Sequence, residues 1–148
     1  MNFVAEWTEA HIELATADLE YWSMYFDGSL MLQGAGAGVV LVSPSRNRMR
    51  YVLHLNFEGA TDNIAEYEAL LHGLRTTITL GVRRLIASGD SELVIRQVMK
   101  ASAYHDHMME AYYAEVRKLE AKFDVLELRH ISQRDNEEAD SLARIGST

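Results

Sequence analysis

Two hydrophobic rhythms divide this chain of 148 residues. Between positions 21 and 57 apolar side chains alternate with polar or small ones, the period of a strand; from position 63 they recur at three- and four-residue spacing, the period of a helix. Tyr21-Trp22-Ser23-Met24-Tyr25-Phe26 reads as a first strand ending on Asp27-Gly28. After Gly34-Ala35-Gly36-Ala37-Gly38, the run Val39-Val40-Leu41-Val42 predicts a second strand, stopped by Ser43-Pro44-Ser45. A glycine-rich run cradles phosphate when it opens a helix, but β-branched residues follow here, so close backbone approach within a hairpin is the better reading. Met49, Tyr51, Leu53, Leu55 and Phe57 alternate with Arg50, Val52, His54 and Asn56, which predicts a third strand antiparallel to the second across a turn at 44–47.

Ile64, Tyr67, Leu70, Leu71, Leu74 and Ile78 then mark a helix over 63–78, with Thr61 or Asp62 as its N-cap and Gly81 as its stop. A short apolar strand over 84–88 runs into Gly89-Asp90-Ser91, and a helix over 92–100 follows with Leu93, Val94, Val98 and Met99 inward. A polar break at 102–107 precedes a third helix over 108–122, whose inner face is Met109, Tyr112, Tyr113, Val116 and Leu119. Residues 123–130 form the last strand, and a helix over 137–145 ends the pattern with Ala139, Leu142, Ala143 and Ile145 on its apolar face. The order β-β-β-α-β-α-α-β-α predicts an α/β fold: a mixed five-stranded sheet, three antiparallel strands and then two reached by helical crossovers, covered by helices.

Composition narrows the chemistry. With no cysteine, disulfides and thiolates are excluded, and a metal must be held by oxygen or imidazole. No apolar run is long enough for a membrane span and no signal peptide is visible, so the expected location is intracellular, cytoplasmic or nuclear. The net charge of −8 argues against a polyanion partner, but five of the acids (Glu6, Glu9, Glu13, Asp18, Glu20) fall in the first 20 residues, which hold no Lys or Arg. Residues 1–20 read as a linker or the remnant of a preceding segment, and 21–148 as the domain. The rest of the chain carries −8 + 5 = −3, and four acids bound to metal would leave +1, a body that binds nucleic acid weakly and in a salt-sensitive way.

Asp27 closes the first strand and Asp90 the fourth, and ligands of open α/β sheets gather beyond the carboxyl ends of strands. Glu66 lies near the start of the first long helix and Asp140 on the last. Each acid has a plain explanation: a turn for Asp27-Gly28, a favourable helix N-terminus for Glu66, a cap for Asp90, a solvated face for Asp140. Together they suit a hard divalent ion, since clustered carboxylates raise one another's pKa values unless a cation lies among them.

The blocks Phe26-Asp27-Gly28-Ser29, Thr61-Asp62-Asn63-Ile64-Ala65-Glu66-Tyr67-Glu68-Ala69-Leu70, Gly89-Asp90-Ser91 and Asn136-Glu137-Glu138-Ala139-Asp140-Ser141-Leu142-Ala143 resemble, in order, the motifs of type 1 ribonuclease H. The wording is closest to ribonuclease H domains of plant gypsy-type retrotransposons, and Asn2-Phe3-Val4-Ala5-Glu6-Trp7-Thr8-Glu9 resembles the segment joining such a domain to reverse transcriptase. The resemblance implies a ribonuclease H-like fold and an endonuclease that cuts the RNA strand of an RNA/DNA hybrid, leaving 3′-hydroxyl and 5′-phosphate ends. It implies two Mg²⁺ ions, with Mn²⁺ as a substitute, held by Asp27, Glu66, Asp90 and Asp140, Asp27 bridging them. It sets His130 at the family's mobile histidine, with a packed or solvated strand-end histidine as the alternative and Arg134 as an alternative cation. Gly28, Ser29, Gln33, Thr61 and Asn63 match positions that approach the hybrid. Gln33 and Asp62 stand where Asn is commoner, Gly59 where some members have Arg, and the connection over 100–106 leaves no room for a basic handle helix. Arg117, Lys118 and Lys122 could stand in for some of that handle, although a solvated helix face is the simpler reading. A reverse transcriptase domain in cis is the implied partner. A decayed module that binds without cutting, and a nuclease of the same fold acting on other nucleic acids, stay open.

Overall fold

The computed structural model describes residues 20–56, 59–99 and 107–148. The predicted linker (all but Glu20), Phe57, Lys100 and the break over 102–106 lie outside them. Among the described residues nine elements follow the predicted order, with one 3-10 turn added: β1 (Trp22–Met31), β2 (Gly34–Val42), β3 (Arg48–Leu55), α1 (Asp62–Thr79), β4 (Arg84–Gly89), α2 (Glu92–Met99), α3 (His107–Glu120), β5 (Val125–His130), the 3-10 turn (Arg134–Asn136) and α4 (Glu137–Gly146). The sheet has five strands in the order β3-β2-β1-β4-β5. β1–β2 and β2–β3 are antiparallel, whereas β1–β4 and β4–β5 are parallel. The chain thus leaves the central strand in both directions, and the crevice a ligand needs opens between β1 and β4.

Because side chains alternate across a strand, β1 and β2 serve two different helices. Met24, Phe26, Val39 and Leu41 are fully buried or nearly so and join Tyr67, Leu70 and Leu74 of α1, with Val116 of α3 behind them, in one core. A Cβ on Gly73 of α1 would fall 2.4 Å from the Met24 sulfur. On the other face a Cβ on Gly38 would stand 2.3 Å from the Ala139 carbonyl oxygen, and one on Gly36 2.3 Å from the Ser147 nitrogen. The glycine run therefore answers to α4, lying backbone against backbone on β2, and not to close approach between hairpin strands. Thr61 caps α1 by accepting from the Ile64 amide at 3.2 Å, and Gly81 adopts φ +83° just past its end, as the cap signals predicted.

Three further details differ from the sequence reading. β1 continues through Asp27 to Met31, so Asp27-Gly28 is extended strand paired with Gly38 and Ala37, not a turn. In α2, Val94, Ile95 and Val98 face inward while Leu93 and Met99 are 49% and 60% exposed; an eight-residue helix presents one narrow stripe, and that stripe is set by the pair 94–98. In α4 the buried positions are Ala139, Ala143 and Gly146, one helical row of small residues, and Ile145 is 56% exposed.

Candidate metal centre

The register explains how the acids meet. Phe26 opposite Gly89 is the last β1–β4 pair, and the next residue on each strand is an acid, Asp27 and Asp90. The strands diverge there, so both carboxylates open on the same gap. Gly28 brings α1 to it: a Cβ on Gly28 would lie 2.3 Å from the Ala65 carbonyl carbon and 2.5 Å from the Glu66 nitrogen. Only glycine lets β1 run directly beneath the helix turn that carries Glu66. The outcome is a group of three acids, Asp27, Glu66 and Asp90, whose carboxylate oxygens lie within 4.8 Å of one another. Gly89 completes the fit, since a Cβ there would strike the Phe26 ring at 2.5 Å.

The electrostatics of the group are severe. Asp27 is 4% and Glu66 7% exposed. Burial, then the hydrogen bond with Glu66 and the charges of Glu66 and Asp90, and last the Asp140 carboxyl, push Asp27 up to about 11. Burial also pushes Glu66 up to about 7, against the lowering effect of the Asp27 hydrogen bond and the Gly28 amide. Without a cation the pair holds a proton at neutral pH. The Gly28 amide donates to Asp27 Oδ1 at 3.0 Å, and one Glu66 oxygen, Oε2, is buried with no hydrogen-bond partner. An all-oxygen set of ionisable groups, one atom of it unsatisfied, fits a hard divalent cation.

Asp140 approaches from α4 without joining the tight group. It touches Asp27 closely enough to raise it, while its Oδ2 is 2.9 Å from Arg144 one turn along the helix. His130 ends β5 in register with Gly89, the residue before Asp90, and is exposed. Arg134 lies in the 3-10 turn and lines a shallow pocket of about 290 Å³ with Tyr25, Arg48 and Glu138, apart from the four carboxylates. Ser29 continues β1, Gln33 is exposed at the β1–β2 turn, Thr61 uses its hydroxyl as the α1 cap, and Asn63 is half-buried in the first turn of α1. Arg117 is engaged by Tyr113, Glu120 and the Val98 carbonyl at 2.9, 2.6 and 2.5 Å, so it belongs to the α2–α3 junction; Lys118 and Lys122 are exposed.

The sequence reading passed over Asn136. It is buried, donates to the Phe26 carbonyl at 2.9 Å and to Asp90 Oδ2 at 3.3 Å, and precedes α4. The signal was its place four residues before Asp140, on the same side of a helix start, but a polar residue there passes for a cap. It makes no side-chain cap here.

A family profile described as reverse transcriptase-like matches residues 25–146. The Bacillus subtilis protein YpeP is 31% identical over 93% of this chain and 66% of its own length. Ribonuclease HI of Halobacterium salinarum is 34% identical over 57% of this chain and 42% of its own length. The chain thus spans less than two thirds of either relative. Among solved structures, RNase H1 from Halobacterium salinarum superposes with a TM-score of 0.79 at 30% identity, covering 86% of this chain and 97% of that one. LC11-RNase H1 in complex with an RNA/DNA hybrid shares the fold, with a TM-score of 0.75 at 24% identity over 84% of this chain and 94% of that one. The chain belongs to the reverse transcriptase-like family and to the ribonuclease H family. Among the described residues no helix is long and apolar enough to cross a membrane.

Proposed function

We propose that this chain is an endoribonuclease that cuts the RNA strand of RNA/DNA hybrids by two-metal-ion phosphodiester hydrolysis, leaving 3′-hydroxyl and 5′-phosphate ends. The observation that carries the reading is the convergence of Asp27, Glu66 and Asp90 at the strand crevice, the first two buried and Glu66 Oε2 unsatisfied. Two Mg²⁺ ions, or Mn²⁺ in their place, would supply an activated water and neutralise charge on the attacking and leaving oxygens. Asp27, central to the group, would bridge the ions; Glu66 and Asp90 would hold one side and Asp140 the other. Glu66 would also orient the attacked region near a ribose 2′-hydroxyl, the group that separates RNA from DNA. His130 would position water or aid product release, with Arg134 as the alternative cation. Gly28, Ser29, Gln33, Thr61 and Asn63 would meet the hybrid along the β1–α1 edge.

Residues 21–148 would form the catalytic domain and 1–20 its linker, joined in cis to a reverse transcriptase in a gypsy-type element. Support for that arrangement is the motif wording and the reverse transcriptase-like family. The test is a uniformly labelled RNA/DNA duplex with and without Mg²⁺. RNA-strand cleavage that requires Mg²⁺ and disappears in Asp27→Asn is the expected result. A folded chain that binds hybrid or protein without cutting, and shows no carboxylate-dependent Mg²⁺ binding, would instead identify a decayed module, and cleavage surviving the substitution would sink the assignment.

A further inference from the structure

Asn136 is 1% exposed, and its amide nitrogen touches both strands of the crevice. Its first acceptor is the carbonyl of Phe26, the last β1 residue in register with β4 and the one before Asp27. Its second acceptor is the Asp90 carboxylate. Its backbone ends the 3-10 turn and opens α4, whose Asp140 lies four residues on, the spacing at which side chains share a helix face. One side chain is therefore tied to the positions of three of the four candidate acids.

A packing role alone does not explain it. A tie between α4 and β1 needs only the Phe26 carbonyl, yet the second N–H is spent on Asp90. Asn136 Oδ1 is also buried without a partner, like Glu66 Oε2 in the same site. Leaving a buried amide oxygen unsatisfied is destabilising, a cost that an apolar residue at this position would not incur. We propose that Asn136 is a positioning residue of the metal centre: it holds the Asp90 carboxylate turned toward Asp27 and seats the first turn of α4 so that Asp140 faces the same gap.

The inference rests on the metal-dependent reading above, and its test does not depend on cleavage. Mg²⁺ affinity is measured by calorimetry on the full chain for wild type, Asn136→Ala, Asp90→Asn and the double variant, with cooperative melting as the check on folding. Asn136→Ser, which keeps a small polar side chain but cannot reach Asp90, carries the test should the alanine variant not fold. Groups that orient metal ligands typically contribute roughly 10–100-fold in affinity. The expected result is at least about tenfold weaker Mg²⁺ binding in Asn136→Ala or Asn136→Ser, and a loss well short of additive when either is combined with Asp90→Asn, only the share that runs through Asp140 remaining. In cleavage of hybrid, kcat falls and KM stays. Unchanged Mg²⁺ affinity in a folded variant, or losses that add fully to those of Asp90→Asn, overturns the role. A wild-type chain whose Mg²⁺ affinity depends on Asp90 and Asn136 as expected but which never cuts hybrid overturns the proposed activity and leaves this inference standing.

Discussion

The molecule holds its acids in two different ways. Asp27, Glu66 and Asp90 sit where two strands diverge beneath a helix; Asp27 and Glu66 are buried, and no neighbouring cation lowers their pKa values. Asp140 rides the rim on α4, a third exposed, with Arg144 supplying a counter-charge. The inner group is placed by backbone contact: β1 meets α1 at Gly28. The outer acid is set by α4 lying on Gly36 and Gly38 of β2. The difference teaches that the inner group is electrostatically incomplete by itself, whereas the outer acid is locally compensated and free to exchange its partner.

The largest effect expected from breaking that contrast is on the inner group. Asp27→Asn keeps the shape and removes the central charge, so hybrid cleavage should fall by about a thousandfold or more in kcat. A loss under tenfold in a labelled-duplex assay would show that Asp27 is not central.

Next come the two backbone contacts. Gly28→Ala drives a methyl into the Ala65 carbonyl, and Gly38→Ala drives one into the Ala139 carbonyl. Each should cost about 3 kcal/mol in urea unfolding, since neither backbone can yield without moving a helix. The pair separates the two regions, because the first displaces Glu66 and the second Asp140.

The third concerns pH. The metal-free folded state keeps protons on Asp27 and Glu66 that the unfolded chain releases above about 3.8 and 4.5. Folded pKa values above unfolded ones mean stability that is full at low pH and is lost as pH rises through the folded values, the Glu66 share by about pH 7. In EDTA the melting temperature should therefore decline between pH 5 and pH 8, with stability falling by at most about 1.4 kcal/mol per pH unit for each retained proton. Mg²⁺ should flatten the decline, and Asp27→Asn should reduce it. A metal-free melting temperature that rises over this range would contradict the buried, proton-sharing pair.

The smallest effect is at the rim. Arg144→Ala removes a largely exposed i,i+4 pair and should change stability by no more than about 0.5 kcal/mol. With Asp140 released, Mg²⁺ should bind slightly tighter, by no more than about threefold. A large loss of Mg²⁺ affinity would mean that Arg144 belongs to the site itself.

Much of this was legible in the chain. The two hydrophobic periods located every described strand and α-helix, and the Thr61 cap and Gly81 stop bounded α1 closely. All four acids stood out because they recur at element ends and inside ordered motif blocks. The misreadings share one cause. Asp-Gly after Phe26 looked like a turn, the β2 glycines like a hairpin contact, and Leu93, Met99 and Ile145 like core residues. In each case a distant element decided, through close backbone approach or the phase of a short helix, and local propensity does not carry that information. Asn136 was missed for the same reason, because its partners are 110 and 46 residues away in sequence.

By itself, the sequence determined the kinds of element, their order, the absence of thiol chemistry and the identity of the acids. Those follow from local periodicity and side-chain chemistry. Only the tertiary structure decided that β4 lies parallel beside β1, that their pairing ends at Phe26 and Gly89 so that Asp27 and Asp90 open on one gap, and that glycine at position 28 lets Glu66 reach it. Burial is a property of the assembled layers. It is the burial of Asp27 and Glu66, with Asp90 beside them, that turns ordinary carboxylates into a group whose charges call for a cation.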